Sequence, residues 1–245
     1  SYMAAKKEGK EQILAHFFDD GACTALFSEG AVSASYGCAM GQTVYAVYQN
    51  GSPVGVKDID KMIRVLEMAA ETGTPVVTFY DSTGAKLEGG LDLLSANSRL
   101  MGEIARVSGV VPQIAVVTGI CAGSSAICAA AADICIVSEQ AELFLTAPFN
   151  SEDKVENAGT EKFAARAGVE SVRAANADEA ASLAAKLVGM LPGNNLAGPT
   201  VFEFAAPKAA LNLAKYAPAD AVAALADADS VVELYAGYGH NVYTA

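Results

Sequence analysis

The sequence predicts a protein of the α/β class. The same local pattern occurs twice: a short apolar run, at 76–80 and again at 114–118, leads into a turn of small residues, and that turn opens a helix. Short apolar runs bounded by turn residues are typical of buried strands, and strands that alternate with helices are typical of α/β domains. With 245 residues, of which 52% are hydrophobic, the chain is long enough to bury a sizeable core.

The elements before the first turn are predicted from the spacing of their apolar residues. The strongest is a helix over 58–72, in which apolar side chains recur every three or four positions. Asp58 is predicted as its N-cap, and Gly73 as the residue that ends it. Upstream, the pattern predicts a helix over 8–18, a turn and a short strand within 19–30, and a strand over 44–49.

The elements after the first turn continue the alternation. The first turn covers 81–90 and the second covers 119–124, and each is followed by a helix. Near residue 170 a further strand precedes a helix that we expect Asp178 to cap. The remaining predicted elements are helices over 91–108 and 125–132 and strands over 134–138 and 142–146.

Charge and cysteine content narrow the class of protein. A net charge of −12 disfavours nucleic acid, whose binding rests on clustered basic residues. No pair of cysteines has metal-binding spacing, so we predict no metal site and expect buried, reduced thiols in a cytoplasmic protein. The charge-free stretch 107–132 contains proline, glycines and hydroxyls, which favours a buried strand, turn and helix over a membrane span. The five cysteines are Cys23, Cys38, Cys121, Cys128 and Cys135.

The two turns are the candidate site. Backbone N–H groups at the start of a helix have no partner inside it, so a turn that opens a helix can bind an oxyanion. Two such turns, roughly 40 residues apart in one layered unit, resemble the two halves of an oxyanion hole. A plain loop at the first turn and a close-packed helix of small residues after the second are the structural alternatives.

The C-terminal part differs in composition. Residues 197–221 are poor in charge and rich in alanine and proline, which indicates a linker or a cover segment. Residues 222–235 resemble residues 14–27, since each has a helical start, acidic turn residues and a strand that ends in leucine and an aromatic residue. We therefore expect a first domain over 1–196 and the start of a second, similar domain over 222–245.

Six short motifs carry a resemblance to a known family. Their order and spacing resemble those of the biotin-dependent acyl-CoA carboxyltransferases of the crotonase superfamily, in the N-terminal half, over roughly residues 8–196. The resemblance implies a crotonase (ClpP-like) fold, a superhelix of stacked ββα units. The motifs are Asp81–Lys86, Glu88–Gly89, Gly109–Ile114, Cys121–Ser124, Ala132–Asp133 and Phe144–Pro148.

The resemblance also implies a reaction. The family's enzymes move a carboxyl group between an acyl-CoA and biotin through an enolate, which backbone N–H groups stabilise. In this sequence those groups belong to Ala85 in the first turn and Ser124 in the second, beside Gly84 and Gly123. Biotin itself handles the proton and the carboxyl group in this family, so no side-chain base is expected.

The implied ligands and partners follow from the same resemblance. The substrate is a coenzyme A thioester, and its phosphates are expected near Lys57, Lys61 and Lys86, with Arg64 in the same patch. Biotin is carried by a partner protein. A second carboxyltransferase domain or chain, a homo-oligomer and a membrane decarboxylase subunit are the further expected partners.

Four places in the sequence depart from the family pattern and leave more than one function open. Ser124 replaces a glycine and Lys86 replaces an arginine. Gly55–Lys57 replaces a Gly-Gly-Ser loop, and Asn157–Thr160 replaces a Leu-Gly-Gly-Ala element. A non-catalytic scaffold subunit of a carboxylase complex would tolerate these changes. A crotonase-type hydratase or isomerase and a thioester hydrolase are two further candidates, but both usually need a carboxylate near the second turn, where Ile127 and its neighbours are apolar.

Overall fold

The predicted α/β class is confirmed. The computed structural model describes residues 9–150, 155–212, 214–215, 217–238 and 243–245. Eight strands form one sheet in the order β1-β2-β3-β4-β5-β6-β8, and β7 pairs with the end of β5. The strands are β1 (Cys23–Phe27), β2 (Val32–Ala39), β3 (Gln42–Gln49), β4 (Val76–Ser82), β5 (Gln113–Ala122), β6 (Ile134–Ser138), β7 (Glu142–Phe144) and β8 (Val172–Ala174).

Helices cover both faces of this sheet. They are α1 (Lys10–Phe17), α2 (Val56–Thr72), α3 (Gly90–Val107), α4 (Ser124–Ala130), α5 (Glu161–Arg166), α6 (Ala177–Met190) and α7 (Pro218–Leu225). β1 to β3 are antiparallel, and the pairs from β3 to β8 are parallel. Parallel strands are usually covered on both sides, and β4 accordingly has buried apolar residues on both faces. Val76 and Tyr80 belong to the core on the side of α2, α3 and α4, whereas Val77 and Phe79 belong to the core on the side of α1 and α6.

The charge-free stretch between Arg106 and Asp133 forms β5 and α4, as predicted. β5 lies between β4 and β6, and its residues from 113 to 117 are buried. Among the described residues no helix is both long and apolar enough to cross a bilayer.

The start of α2 corrects the predicted N-cap. Gly55 occupies the cap position, and Asp58 lies one turn inside the helix, where its carboxylate accepts the Gly55 N–H at 3.1 Å. The predicted end is confirmed, since Gly73 has a left-handed φ of +64°. The helix therefore begins two residues before its predicted start.

Other boundaries also differ from the predictions. Asn176, not Asp178, caps α6, because its side chain accepts the Glu179 N–H at 2.8 Å. The strand predicted over 142–146 ends at Phe144. α1 begins at Lys10, and residue 8 of the predicted helix lies outside the described residues. β2 was not predicted, because its small and polar residues give a weak apolar signal.

The cysteines fall into two groups. All five are free, and Cys121, Cys128 and Cys135 are buried as expected. Cys23 and Cys38 are exposed, which contradicts the prediction of burial. The physical reason differs between the two: Cys23 lies on β1 at the edge of the sheet. Cys38 points to the face opposite Ala39, which is buried in the core with α6.

The tail lies against the main body through few contacts. α7 supplies the helical start that the comparison with residues 14–27 predicts, but the predicted strand does not form in the described part of the tail. Leu234 instead makes a single bridge to Thr244. The Tyr235 N–H donates to the Ser171 carbonyl at 2.7 Å, next to the start of β8. The division into domains stays a prediction.

Glu170 lies beneath this tail and makes stability depend on pH. Its side chain is buried, its Oε2 has no partner among the described residues, and Gly237 lies above it. Burial, together with the nearby Glu161 carboxylate, raises the pKa of Glu170 to about 7, although Arg173 opposes the shift. A carboxyl group whose pKa rises on folding stabilises the fold fully at low pH, and this contribution is lost as the pH rises through 7.

Replacing Glu170 by glutamine, which mimics the protonated acid, is therefore expected to stabilise the chain more at pH 8 than at pH 5. The pKa of about 7 corresponds to a gain in the free energy of unfolding of about 3 kcal/mol at pH 8 and about 1 kcal/mol at pH 5. Urea unfolding of both proteins at the two pH values measures it. An equal difference at pH 5 and pH 8 would contradict the pKa shift.

Candidate active site

The first turn is held by hydrogen bonds on both sides of Ala85. Gly84, with φ of +113°, turns its carbonyl toward the Val54 N–H at 2.9 Å, and the Lys86 N–H donates to the Val54 carbonyl at 3.0 Å. In this parallel bridge the N–H of the residue in the middle points to the other side. Among the described residues, no acceptor contacts the Ala85 N–H. Only glycine adopts the φ of residue 84 without strain.

The second turn is shorter than predicted. β5 extends to Ala122, so most of the predicted turn 119–124 is strand, and Gly123 alone makes the turn with φ of +61° and ψ of −125°. Its N–H donates to the Phe144 carbonyl at 2.9 Å, which fixes the turn to β7. α4 begins at once, so the N–H groups of Ser124 and Ser125 precede the first hydrogen bond within the helix.

Both turns border one cleft. The cleft encloses about 320 Å³ of empty space, counting the part that is open to solvent. Gly84 and Ala85 line it from the first turn and Ser124 lines it from the second, whereas Gly123 is not among its described lining residues. The remaining lining residues are Gln49, Val54, Ile59, Met62, Tyr80, Asn97, Leu100, Ser125 and Cys128.

The side chains around the cleft do not suit acid–base or nucleophilic chemistry. Neither a carboxylate nor a histidine is among the described residues that line it. Burial raises the pKa of the Cys128 thiol to about 12 and raises the pKa of Tyr80 well above its usual value, so both stay protonated at neutral pH. The cleft therefore offers mostly apolar surroundings, and its two turns are the candidates for binding a polar group of a ligand.

The predicted phosphate ligands fall into two groups. Lys57 and Lys86 are exposed at the N-terminus of α2, and the Lys86 side chain packs beside Gly55. Lys61, by contrast, donates to the carbonyls of Glu29 and Val32 and to the Asp58 carboxylate. Because an ammonium group has three N–H donors, Lys61 has none left for a phosphate, and we do not retain it as a ligand.

Asp58 ties the loop before β2 to the N-terminus of α2. Its carboxylate accepts hydrogen bonds from Ala31 at 3.1 Å and from Lys61 at 3.1 Å, besides the one from Gly55. Burial alone would raise the pKa of Asp58, but these bonds and the Lys61 charge hold the pKa below its usual value. The carboxylate therefore stays ionised and keeps the loop beside the first turn in place.

One residue of the cleft was missed from the sequence. Gln49 ends β3, and its side chain is 1% exposed and lines the cleft. A signal was present, because ligands of open α/β sheets bind at the carboxyl ends of parallel strands and Gln49 is a polar residue at such an end. The sequence prediction placed Gln49 at the end of the strand over 44–49 and gave it no role in the site.

Comparison with known families identifies the class. The carboxyl transferase domain family matches residues 9–245, and the chain belongs to it. This confirms the resemblance drawn from the six motifs.

Individual relatives agree with that class. The chain is 31% identical over 242 residues to the methylmalonyl-CoA carboxyltransferase 12S subunit of Propionibacterium freudenreichii subsp. shermanii, covering 90% of this chain and 46% of that protein. The crystal structure of transcarboxylase 12S, with hydrolysed methylmalonyl-coenzyme A bound, superposes with a TM-score of 0.87 at 25% identity, over 97% of this chain and 54% of that one. That structure is described as a hexamer assembly with substrate bound to a multienzyme core.

A second enzyme has the same architecture. The β subunit of geranyl-CoA carboxylase from P. aeruginosa superposes with a TM-score of 0.71 at 26% identity, over 76% of this chain and 39% of that one. The predicted crotonase-type fold is thereby confirmed. The chain spans about half the length of the 12S subunit, at 46%.

Proposed function

We infer that this chain is the acyl-CoA-binding half of a biotin-dependent carboxyltransferase. The observation that carries this proposal is the position of Ala85 and Ser124, which come from separate turns and line one cleft. In the proposed complex the thioester oxygen accepts both N–H groups, and Gly84 and Gly123 supply the backbone conformations that aim them. Family membership supports the assignment.

The proposed role of the two N–H groups is to stabilise an enolate. When the bond between the α-carbon and the carboxyl carbon breaks, its electron pair moves toward the thioester oxygen. Each donor aimed at that oxygen is typically worth about 3 kcal/mol in the transition state. Biotin, carried by a partner protein, supplies the site to which the carboxyl group moves or from which it comes. The residues of this chain bind and orient the thioester.

The lining of the cleft favours this reaction over hydration, isomerisation or hydrolysis. A hydratase or isomerase needs a carboxylate beside the thioester, and a hydrolase needs an activated nucleophile. The described lining residues offer neither, since Cys128 stays protonated and the serines have no base in the cleft. A scaffold subunit without activity stays the second candidate, supported by Lys86 and Ser124 in place of the family's arginine and glycine.

The phosphates of coenzyme A are proposed to lie near Lys57 and Lys86. Both ammonium groups flank the N-terminus of α2, which is 17 residues long and favours anions at that end. Among the described residues neither side chain is in an ion pair, so both are available to an anion.

The chain alone is therefore expected to bind propionyl-CoA. Replacing Lys57 and Lys86 together by alanine should weaken the binding about tenfold at low salt, because two phosphate contacts are lost. Calorimetry at two salt concentrations measures this, and the difference should shrink as salt rises. Arg64, which the sequence predicts in the same patch, pairs with Glu67 at 3.1 Å two turns further along α2. Arg64→Ala is therefore the control for the loss of one positive charge and should change the binding little. Absence of binding to any acyl-CoA would favour the scaffold.

A further inference from the structure

The carboxamide of Gln49 is buried in the cleft with an unused acceptor. The side chain is 1% exposed, and its one polar contact among the described residues is a weak one from Nε2 to the Met62 sulfur at 3.9 Å. Its Oε1 has no hydrogen-bond partner there. A buried carbonyl oxygen without a donor costs free energy, so native proteins keep few of them.

The position of this oxygen distinguishes it from other unpartnered atoms. Four buried side-chain atoms lack a partner in the described part of the chain, and Gln49 alone among their residues lines the cleft. Asn97, a second amide side chain in the lining, donates to the Leu93 carbonyl at 2.9 Å. The surrounding Val54, Ile59 and Leu100 offer no donor to Gln49. A ligand in the cleft is therefore the natural source of one.

We propose that Gln49 is a positioning residue that accepts a hydrogen bond from the amide N–H of the acyl-CoA nearest to its thioester. This rests on the proposed function. In a simple acyl-CoA that amide lies two methylene groups from the sulfur, and it is the nearest N–H or O–H donor to the reacting carbon. With the thioester oxygen on Ala85 and Ser124, a third contact at Gln49 fixes the direction in which the thioester lies. The acceptor is left unpaired until the substrate arrives.

The test uses a pair of short thioesters that differ in one atom group. The first is S-propionyl-N-acetylcysteamine, which retains the amide N–H. The second has an ester oxygen in place of that N–H. NMR titration of the 245-residue chain should show the amide binding about fivefold more tightly, which corresponds to one neutral hydrogen bond. In Gln49→Met the two should bind equally.

A matched variant on the same strand provides the control. Gln42 also lies on β3 and also has a buried unpartnered atom, Nε2, but it does not line the cleft. Gln42→Met should therefore retain the fivefold preference for the amide. A loss of the preference in both variants would overturn the proposal.

Further outcomes separate this proposal from a structural role and from the proposed function. Gln49→Met should unfold at the same or a higher temperature, because it removes an unpaired acceptor; a lower temperature with the amide preference intact would show that Gln49 is structural. Equal binding of both thioesters to the unaltered chain would mean that Oε1 accepts a hydrogen bond only from water. That result would overturn this inference alone. Binding of neither thioester, nor of propionyl-CoA, would overturn the proposed function as well.

Discussion

Replacing Ser124 by proline is expected to lower the rate of carboxyl transfer about 100-fold or more. Proline has no backbone N–H, so the variant loses one of the two donors proposed for the enolate oxygen, and loss of one such donor typically costs about 10²–10³ in rate. The rate is measured with this chain paired with a second carboxyltransferase domain, using an acyl-CoA and free biotin.

The fold should tolerate this change. Ser124 is the first residue of α4, and proline is favoured at that position because its N–H has no partner within the helix. Gly123 precedes it with φ of +61° and ψ of −125°, outside the helical region that a following proline disfavours.

Ser124→Ala is the matched control. It retains the N–H and removes only the hydroxyl, so its rate should stay within a few-fold of the unaltered chain. If proline and alanine lower the rate equally, the hydroxyl and not the backbone would be the functional group. If neither has an effect, the second turn does not contact the thioester.

The second large effect concerns whether the chain is active without a second carboxyltransferase domain. The 245-residue chain by itself is expected to show no biotin-dependent turnover, and addition of a second carboxyltransferase domain should restore it. The chain spans about half the length of the 12S subunit, at 46%, and the proposal assigns the biotin side to the other half. Carboxyl transfer to free biotin, with and without the added domain, measures this. Turnover by the chain alone would contradict the division of roles.

An exposed apolar surface beside the first turn is consistent with the need for a second carboxyltransferase domain. Leu87, Leu91 and Leu94 are 95%, 83% and 64% exposed, and the last two lie on one face of α3. Monomers rarely expose clustered leucines, so the isolated chain should self-associate through them. A variant with serine at positions 87 and 91 provides the control. In sedimentation experiments it should form smaller assemblies than the unaltered chain.

Much of this fold could be predicted from local pattern. The strands at 76–80 and 114–118 and the helix that ends at Gly73 were predicted from apolar spacing and from glycine, because a buried parallel strand and a left-handed helix end each require particular residues. The predicted ends of helices were less accurate where a side chain forms hydrogen bonds with residues far from it along the chain. Asp58 looked like a cap from its place in the sequence, but its partners include Ala31, which lies far from it along the chain.

The site residues likewise divide into those that local sequence predicts and those that depend on contacts between distant segments. The two turns could be recognised from their small residues, since only glycine fits the backbone at 84 and 123. That both turns line one cleft depends on the order of the strands, which places the ends of β4 and β5 side by side. The lysines looked alike in sequence, yet Lys61 is used internally and Lys57 is not.

The sequence by itself determined the α/β class, the two strand–turn–helix units and the family. These follow from short-range patterns of apolar, small and turn-forming residues, which each segment carries independently of the rest. The tertiary structure alone decided which residues meet: Ala85, Ser124 and Gln49 line one cleft, and Cys23 and Cys38 are exposed. Burial and hydrogen-bond pairing depend on contacts between distant segments, and those contacts exist only once the sheet is assembled.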